Sequence, residues 1–311
     1  MTQVETGANM NATTSQFSHR VDPWYRRRSI RRGLAHTVYY MLLTTIGIVL
    51  LIPFFWMLSS SLKEEWEIFQ VPPVWIPSTI RWQNYGEALD NFPFFLSLKN
   101  TLIITVSVII GRLISTSMAA FAFARLRFRG RNALFILVLA TMMIPYHVTL
   151  IPSYILFQKL GWIDTFLPLI VPNWLAVAAF FIFLQRQFFM TIPRDMDDAA
   201  RIDGCNSFMI YRRITLPMSK PVLATVTIFT FLGEWNDFLA PIIYLNSPAK
   251  HTLAIAMQFY RQQSSGTMFG PTRTWSHLMV VSLLVMLPCL LLFFFAQRYF
   301  IQGVVVSGVK G

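Results

Sequence analysis

Between two long apolar runs the chain reads Thr191-Ile-Pro-Arg-Asp-Met-Asp-Asp-Ala-Ala-Arg-Ile-Asp-Gly-Cys-Asn-Ser-Phe-Met-Ile-Tyr-Arg-Arg-Ile-Thr-Leu-Pro217. Pro193 suits a first helical turn, where its missing N–H leaves no bond unmade. Asp195, Asp197 and Asp198 follow it and complement the positive end of a helix. Ala199 and Ala200 are small, so another surface can approach closely there. Gly204 supplies the left-handed residue that ends a helix. Asn206 or Ser207 caps the next one. Leu216-Pro217 closes it, because the residue before a proline is pushed out of helical geometry. The stretch is predicted to form two short helices around a glycine, a compact knob between hydrophobic segments.

The flanks decide where this knob sits. Residues 166–184 precede it and residues 222–245 follow it, each with the roughly 20 mostly apolar residues that cross a hydrocarbon core. Residues 38–60, 101–124, 133–151 and 278–300 qualify as well. Composition agrees: of 311 residues, 55% are hydrophobic and 13% charged, against about 25% charged in an ordinary soluble domain. That balance excludes a typical water-soluble enzyme, a disordered chain and a coiled coil. The predicted fold class is an all-α membrane protein with six transmembrane helices. The first span is too long for a signal-peptide core, starts late and lacks a small-residue cleavage site. Cys205 and Cys289 cannot build a disulfide scaffold, and neither has a His or Cys at zinc-ligand spacing, so no metal site is expected.

A net charge of +12 raises the question of nucleic acid. The location of the charges answers it. Arg20, Arg26, Arg27, Arg28, Arg31 and Arg32 precede span one. Arg125, Arg127, Arg129 and Arg131 follow span two. Arg186, Arg194, Arg201, Arg212, Arg213 and Lys220 surround the knob, and Arg298 and Lys310 lie at the end. Six spans place all of these on one side. Only Lys63, Arg81, Lys99, Lys159, Lys250, Arg261 and Arg273 fall on the other. The positive-inside rule puts the knob and both termini in the cytoplasm. The basic residues are thereby topology signals, with the lipid bilayer and no nucleic acid as partner. Residues 1–35 are polar and expected to be disordered, residues 36–301 form the six-span domain, and residues 302–311 form a short cytoplasmic tail.

Ionisable residues inside spans are costly and default to functional hypotheses. Away from the span ends three carry a full charge at neutral pH: Arg112 in span two, and Glu234 and Asp237 in span five. Arg112 and Glu234 lie near the middle of antiparallel spans, so they are candidates for an intramembrane ion pair. Tyr146 and His147 follow Pro145 near the outer end of span three and are candidates for a pathway lining. Pro145, Pro152, Pro168 and Pro172 break or kink helices unless the freed carbonyls find partners. No G-x-x-x-x-G-K-[ST] phosphate loop occurs anywhere in the chain.

The pattern Asp198-Ala199-Ala200-x-x-x-Gly204-x(9)-Ile214-x-Leu216-Pro217 resembles the "EAA" signature of permease subunits of bacterial ABC importers. Asp198 stands where that family usually has Glu, with the charge kept and the reach one methylene shorter. Ala124-Arg-Leu-Arg-Phe-Arg-Gly-Arg131, Gly233-Glu-Trp-Asn-Asp-Phe-Leu239 and Gln297-Arg-Tyr-Phe-Ile-Gln-Gly303 look like the carbohydrate branch, and the smaller permease of maltose-type systems in particular. The likeness covers about residues 35–311. It implies that the first knob helix is a coupling helix, with Asp198, Ala199, Ala200, Gly204, Ile214, Leu216 and Pro217 as its ATPase-coupling residues. It implies a multi-pass subunit of the bacterial inner membrane, with a second permease, an ATPase dimer carrying ATP and Mg, and an extracytoplasmic solute-binding protein as partners. No cofactor is expected in this chain.

By the same likeness, Glu234, Trp235, Asn236 and Asp237 become candidates for the sugar pathway. Trp offers an apolar face to a sugar ring, and Asn and Asp offer hydrogen bonds to hydroxyls. The outer segments 62–100 and 246–276 are expected to meet the binding protein. Two other readings stay open. One is the same architecture importing glycerol phosphate or another polar solute. The other is an ion-driven secondary transporter with Glu234 or Asp237 as coupling groups, against which the absence of an evident internal repeat counts.

Overall fold

The computed structural model describes residues 23–264 and 275–308, and every regular element among them is helical. The expected disorder of residues 1–22 lies outside the described residues. The chain divides into two compact units, Met1–Phe55 and Trp56–Gly311. α1 (Pro23–Ser61) begins in the first and ends in the second. Its backbone is helical from Pro23, well before the expected boundary at residue 35. From Ala35 to Ser61 it is mostly apolar, about 40 Å long at 1.5 Å per residue. Between Ala35 and Phe55 most of its side chains are exposed, Leu50 by 68%, as suits a helix solvated by lipid tails.

The second unit is built around one long helix. After the short α2 (Glu65–Ile68) and α3 (Gln83–Asn91), α4 (Phe94–Arg125) runs for 32 residues without a proline. Its buried face carries Ser97, Thr101, Thr105, Gly111, Thr116 and Ser117. Small residues let helices approach closely where no water drives them together. A Cβ at Gly111 would overlap the indole of Trp174. Gln185, fully buried, donates to Thr116 Oγ1 at 2.8 Å.

Three of the expected spans are interrupted. Residues 133–151 do not form one helix: α5 (Arg131–Ala140) and a 3-10 turn (Thr141–Met143) stop at Ile144, and α6 (Tyr146–Lys159) restarts after Pro145 at a bend of 96°. Ile144 is extended, as a residue before proline prefers. Residues 166–184 begin as α7 (Leu167–Ile170) and a 3-10 turn (Val171–Trp174), and become regular only in α8 (Ala179–Thr191). Pro168 and Pro172 keep the first turns irregular.

The knob follows as α9 (Asp195–Ile202), α10 (Ser207–Ile210), a wide π turn (Tyr211–Thr215) and α11 (Leu216–Met218). Leu216-Pro217 does not close this helix. Leu216 keeps helical angles and its N–H bonds Tyr211 O, five residues back. The wide turn shifts the hydrogen-bond register just where Pro217 has no N–H to give. The break comes at Ser219, with a bend of 77° into α12 (Lys220–Asn236). Span five breaks again at Asp237, before α13 (Leu239–Tyr244), which places Pro241 in a first turn.

Residues 246–276 are more than a connector. A 3-10 turn (Pro248–Lys250) leads into α14 (Leu253–Ser264), whose Leu253, Ile255 and Tyr260 are fully buried. Residues 265–274 of this segment lie outside the described residues. α15 (Trp275–Gly308) completes the chain, and its backbone stays helical into the segment expected as a tail. Among the described residues four helices are long and apolar enough to cross a membrane, and the two bent pairs raise the number to at most six.

Candidate functional site

Two places gather the residues singled out by the sequence. The first is the knob. Asn206 Oδ1 accepts from Met209 N at 2.8 Å and starts α10. Gly204 takes φ +81°, and Cys205 N reaches back to Ala200 O at 2.8 Å, the six-to-one bond that closes a helix on a left-handed residue. Ala200 is buried with Phe121, Ala124, Phe189, Ile210 and Tyr211. Ile214 and Leu216 pack on the rim of that cluster. Asp198, Ala199, Gly204 and Pro217 are exposed. Ile202, 87% exposed, and Phe208, 59% exposed, stand out as apolar side chains in the open.

What anchors the knob was not singled out beforehand. Asp197 Oδ2 lies 3.3 Å from Arg125 Nη1 at the end of α4. Arg125 Nη2 also donates to Ile192 O at 2.7 Å, at the end of α8. The Tyr211 and Ser117 hydroxyls share a hydrogen bond of 2.7 Å, and the Tyr211 ring leans on Phe121 at 5.3 Å. Spacing alone showed Asp197 only as one of three acidic residues in a first helical turn.

The second place is a cleft of about 390 Å³ lined by Tyr146, Ser153, Asn173, Glu234, Asp237 and Tyr244, with Phe157, Pro168 and Pro172 as apolar wall. Arg112 Nη2 meets Glu234 Oε1 at 3.0 Å behind it. The same guanidinium donates to Asn173 Oδ1 and, at 3.3 Å, to Thr230 Oγ1. Asn173 donates to Leu169 O at 2.9 Å, and Ser115 Oγ donates to Asn173 O at 3.2 Å. The network joins α4, the 3-10 turn after α7, and α12. Asp237 caps α13, accepting from Ala240 N at 3.3 Å. Tyr244 stacks on Tyr154 at 6.3 Å. The cleft thus offers carboxylates, hydroxyls and aromatic rings, the groups that hold a polyhydroxylated solute.

Trp235 is not among them. Its side chain is 3% exposed, stacked on Phe231 at 5.1 Å, and its indole N–H donates to Val285 O at 3.1 Å. One helical position from Glu234 turns it by 100° into the core with α15. Asn236 is exposed and bonds Leu232 O within its own helix. His147 is exposed beside Tyr146, their rings 6.2 Å apart. Asn173, Thr230 and Tyr244 belong to the site as well, and their signal in the sequence is an uncharged polar side chain inside an apolar run.

Away from the knob, Asp164 sits at φ +59° and ties two loops. Its carboxylate accepts from Ser247 Oγ at 2.6 Å, Ser247 N at 2.9 Å, Lys250 Nζ at 3.0 Å and Asn246 N at 3.0 Å. These bonds, those from Ser247 foremost, hold it well below the usual carboxylate range.

The family model described as "Binding-protein-dependent transport system inner membrane component" matches residues 111–306. The chain is 32% identical over 277 residues to the arabinooligosaccharides transport system permease protein AraQ of Halalkalibacterium halodurans, covering 86% of this chain and 93% of that one. It is 32% identical over 284 residues to the sn-glycerol-3-phosphate transport system permease protein UgpE of Yersinia enterocolitica, covering 89% and 98%. Its fold matches a chain in the crystal structure of a bacterial ABC transporter involved in the import of the acidic polysaccharide alginate, with TM-score 0.75, 23% identity, and 86% and 97% of the two chains covered.

Proposed function

The chain belongs to the binding-protein-dependent transport system inner membrane components, as an ABC transporter permease, and from that premise we propose that it lines part of the path of a sugar or oligosaccharide into a bacterial cell. It spans the inner membrane six times with both termini in the cytoplasm. A second permease completes the path, and a binding protein outside the membrane delivers the solute. ATP and Mg are held by a separate ATPase dimer. This chain changes access and makes or breaks no bond of the solute.

The observation that carries this reading is the family match over a knob whose α9 is anchored by Asp197 and Ala200 and presents Asp198, Ala199 and Ile202 outward. A short helix fixed on one face and free on the other is suited to seat in a partner and pass on rigid-body motion. Likeness to UgpE supports glycerol phosphate as a second reading. The cleft favours the neutral solute: Glu234 already engages Arg112, Asp237 has no cation in the lining, and a phosphate would meet negative charge.

The test is purification of the tagged chain in gentle detergent, with identification of every subunit that comes with it. An ATPase and a second permease are the expected companions, and the associated binding protein is then titrated with arabinooligosaccharides and with glycerol 3-phosphate. A folded chain that repeatedly emerges alone overturns the proposal in favour of an ion-driven transporter.

A further inference from the structure

Two ion pairs among the described residues are shielded from water on both sides. They are Arg112–Glu234, with side chains 13% and 16% exposed, and Arg125–Asp197, with side chains 3% and 11% exposed. Both arginines stand on α4. They are thirteen residues apart, about 20 Å along an uninterrupted helix. One pair faces the cleft, where it also engages Asn173 and Thr230. The other faces the knob, where Asp197 is the only α9 side chain among the described residues with a polar contact on another helix.

We infer that Arg125 is a positioning residue that makes α9 and α4 travel together, so that a displacement of the knob reaches Glu234 and Asn173 through Arg112. The inference rests on the importer reading above. Three features support it. α9 has eight residues and buries little of itself, only Asp197 and Ala200, so it needs a fixed tie to move α4 rather than slide over it. Arg125 grips two elements, α9 through Asp197 and the end of α8 through Ile192 O, which holds both ends of the 193–194 linker to one helix. The tie also has a donor and an acceptor in reserve: Arg125 Nε and Asp197 Oδ1 are buried without a partner. A guanidinium and a carboxylate can meet through one bond or through a fork of two. The spare atoms let this pair tighten into a fork while α9 keeps its place on α4.

The experiment uses the complete importer in proteoliposomes, reading solute uptake per ATP hydrolysed, with subunit co-purification and melting temperature as checks on folding. Arg125→Gln is expected to lower uptake per ATP at least about fivefold, the low end of ordinary coupling free energies, while the subunits still co-purify. Arg125→Lys, which keeps the charge but not the fork, is expected to fall between. Arg125→Asp combined with Asp197→Arg is expected to recover most of the loss. If Arg125→Gln fails to fold, Asp197→Asn, which keeps the shape and removes the charge, takes its place with the same expected drop. An unchanged ratio in a folded complex overturns the inference and leaves the importer reading intact. A wild-type chain that assembles with no ATPase overturns both.

Discussion

The two ends of α4 are held by opposite means. At the end predicted to face outward, Asn100 donates to Ala249 O at 2.9 Å and to His251 O at 3.0 Å, and Thr101 Oγ1 accepts from Leu253 N at 2.9 Å. These are neutral bonds to backbone, with both hydrogens of the amide used. At the middle and the other end, single arginines meet single carboxylates and leave buried atoms without partners. A neutral amide bonded to two carbonyls has one good arrangement. A partly engaged ion pair has several. The Asn100 end has its donors used, and the Arg125 end keeps a donor and an acceptor unused.

The largest effect is expected where a charge would be stranded. Arg112→Met leaves Glu234 buried without its partner and should cost about 3–5 kcal/mol, whereas Arg112→Met with Glu234→Leu should recover much of the loss, because matched apolar replacements of a buried pair are often near neutral. Melting in detergent measures both. Recovery in the double variant with uptake still abolished would separate the pair's role in transport from its role in packing. Equal damage in single and double variants would break the contrast between the two ends.

At the outer end, Asn100→Leu bares two backbone carbonyls and should cost about 1–3 kcal/mol for each one that finds no new partner. The same melting series reads it. A negligible loss would show that the outer end is not the fixed one. At the knob, Gly204→Val has open space around it but must hold φ +81°, costing about 1–2 kcal/mol. Uptake should fail while the protein still inserts, and Gly204→Asn should be far milder, since Asn tolerates the left-handed region. Normal uptake with valine would detach the knob from transport.

Trp235→Phe keeps the stacking and loses one hydrogen bond, about 1 kcal/mol. The affinity of the transporter for its solute should not change. A clear drop in affinity would return Trp235 to the pathway. The smallest effect concerns Asp164. Its depressed pKa means that its bonds stabilise the fold fully above the ordinary carboxylate range and are lost as pH falls through the lower folded value. The protection of the Asn246 and Ser247 amides, taken relative to their intrinsic exchange rates, should therefore hold from neutral pH down to about 4 and fall only below it. Asp164→Asn, compatible with φ +59°, should show lower protection at neutral pH and little change in protection on acidification.

Much of this was legible in the residues. The apolar runs located the helices because lipid permits little else, and the knob's glycine reversal and its Asn206 cap follow from local chemistry, whereas Pro193 lies before α9 and not in its first turn. Arg112 and Glu234, candidates for a pair from their depth in two spans, meet at 3.0 Å. What stayed hidden depends on facing surfaces. Nothing in the run Asp195 to Asp198 tells which carboxylate turns inward, since that is fixed by where Arg125 ends α4. Trp235 reads as a sugar platform until its helix is seen to turn it onto Val285. The break at Asp237 and the helix at Leu253 arise from packing between distant segments. Pro217 misled for a simpler reason: a wide turn before it removes the conflict that a proline ordinarily creates.

That wide turn has a consequence for how the chain can vary. Tyr211–Thr215 holds one residue more than a regular helix needs. Deleting a single residue there would let the helix close into regular turns with its flanks nearly in phase, because a wide turn takes up its extra residue without the roughly 100° step that a residue adds to a regular helix. A residue added to or removed from α10 or α11 has no such outlet and would turn α9 away from Arg125. Between Asn206 and Ser219, the wide turn is thus the place where the chain can shorten by one residue and keep its geometry.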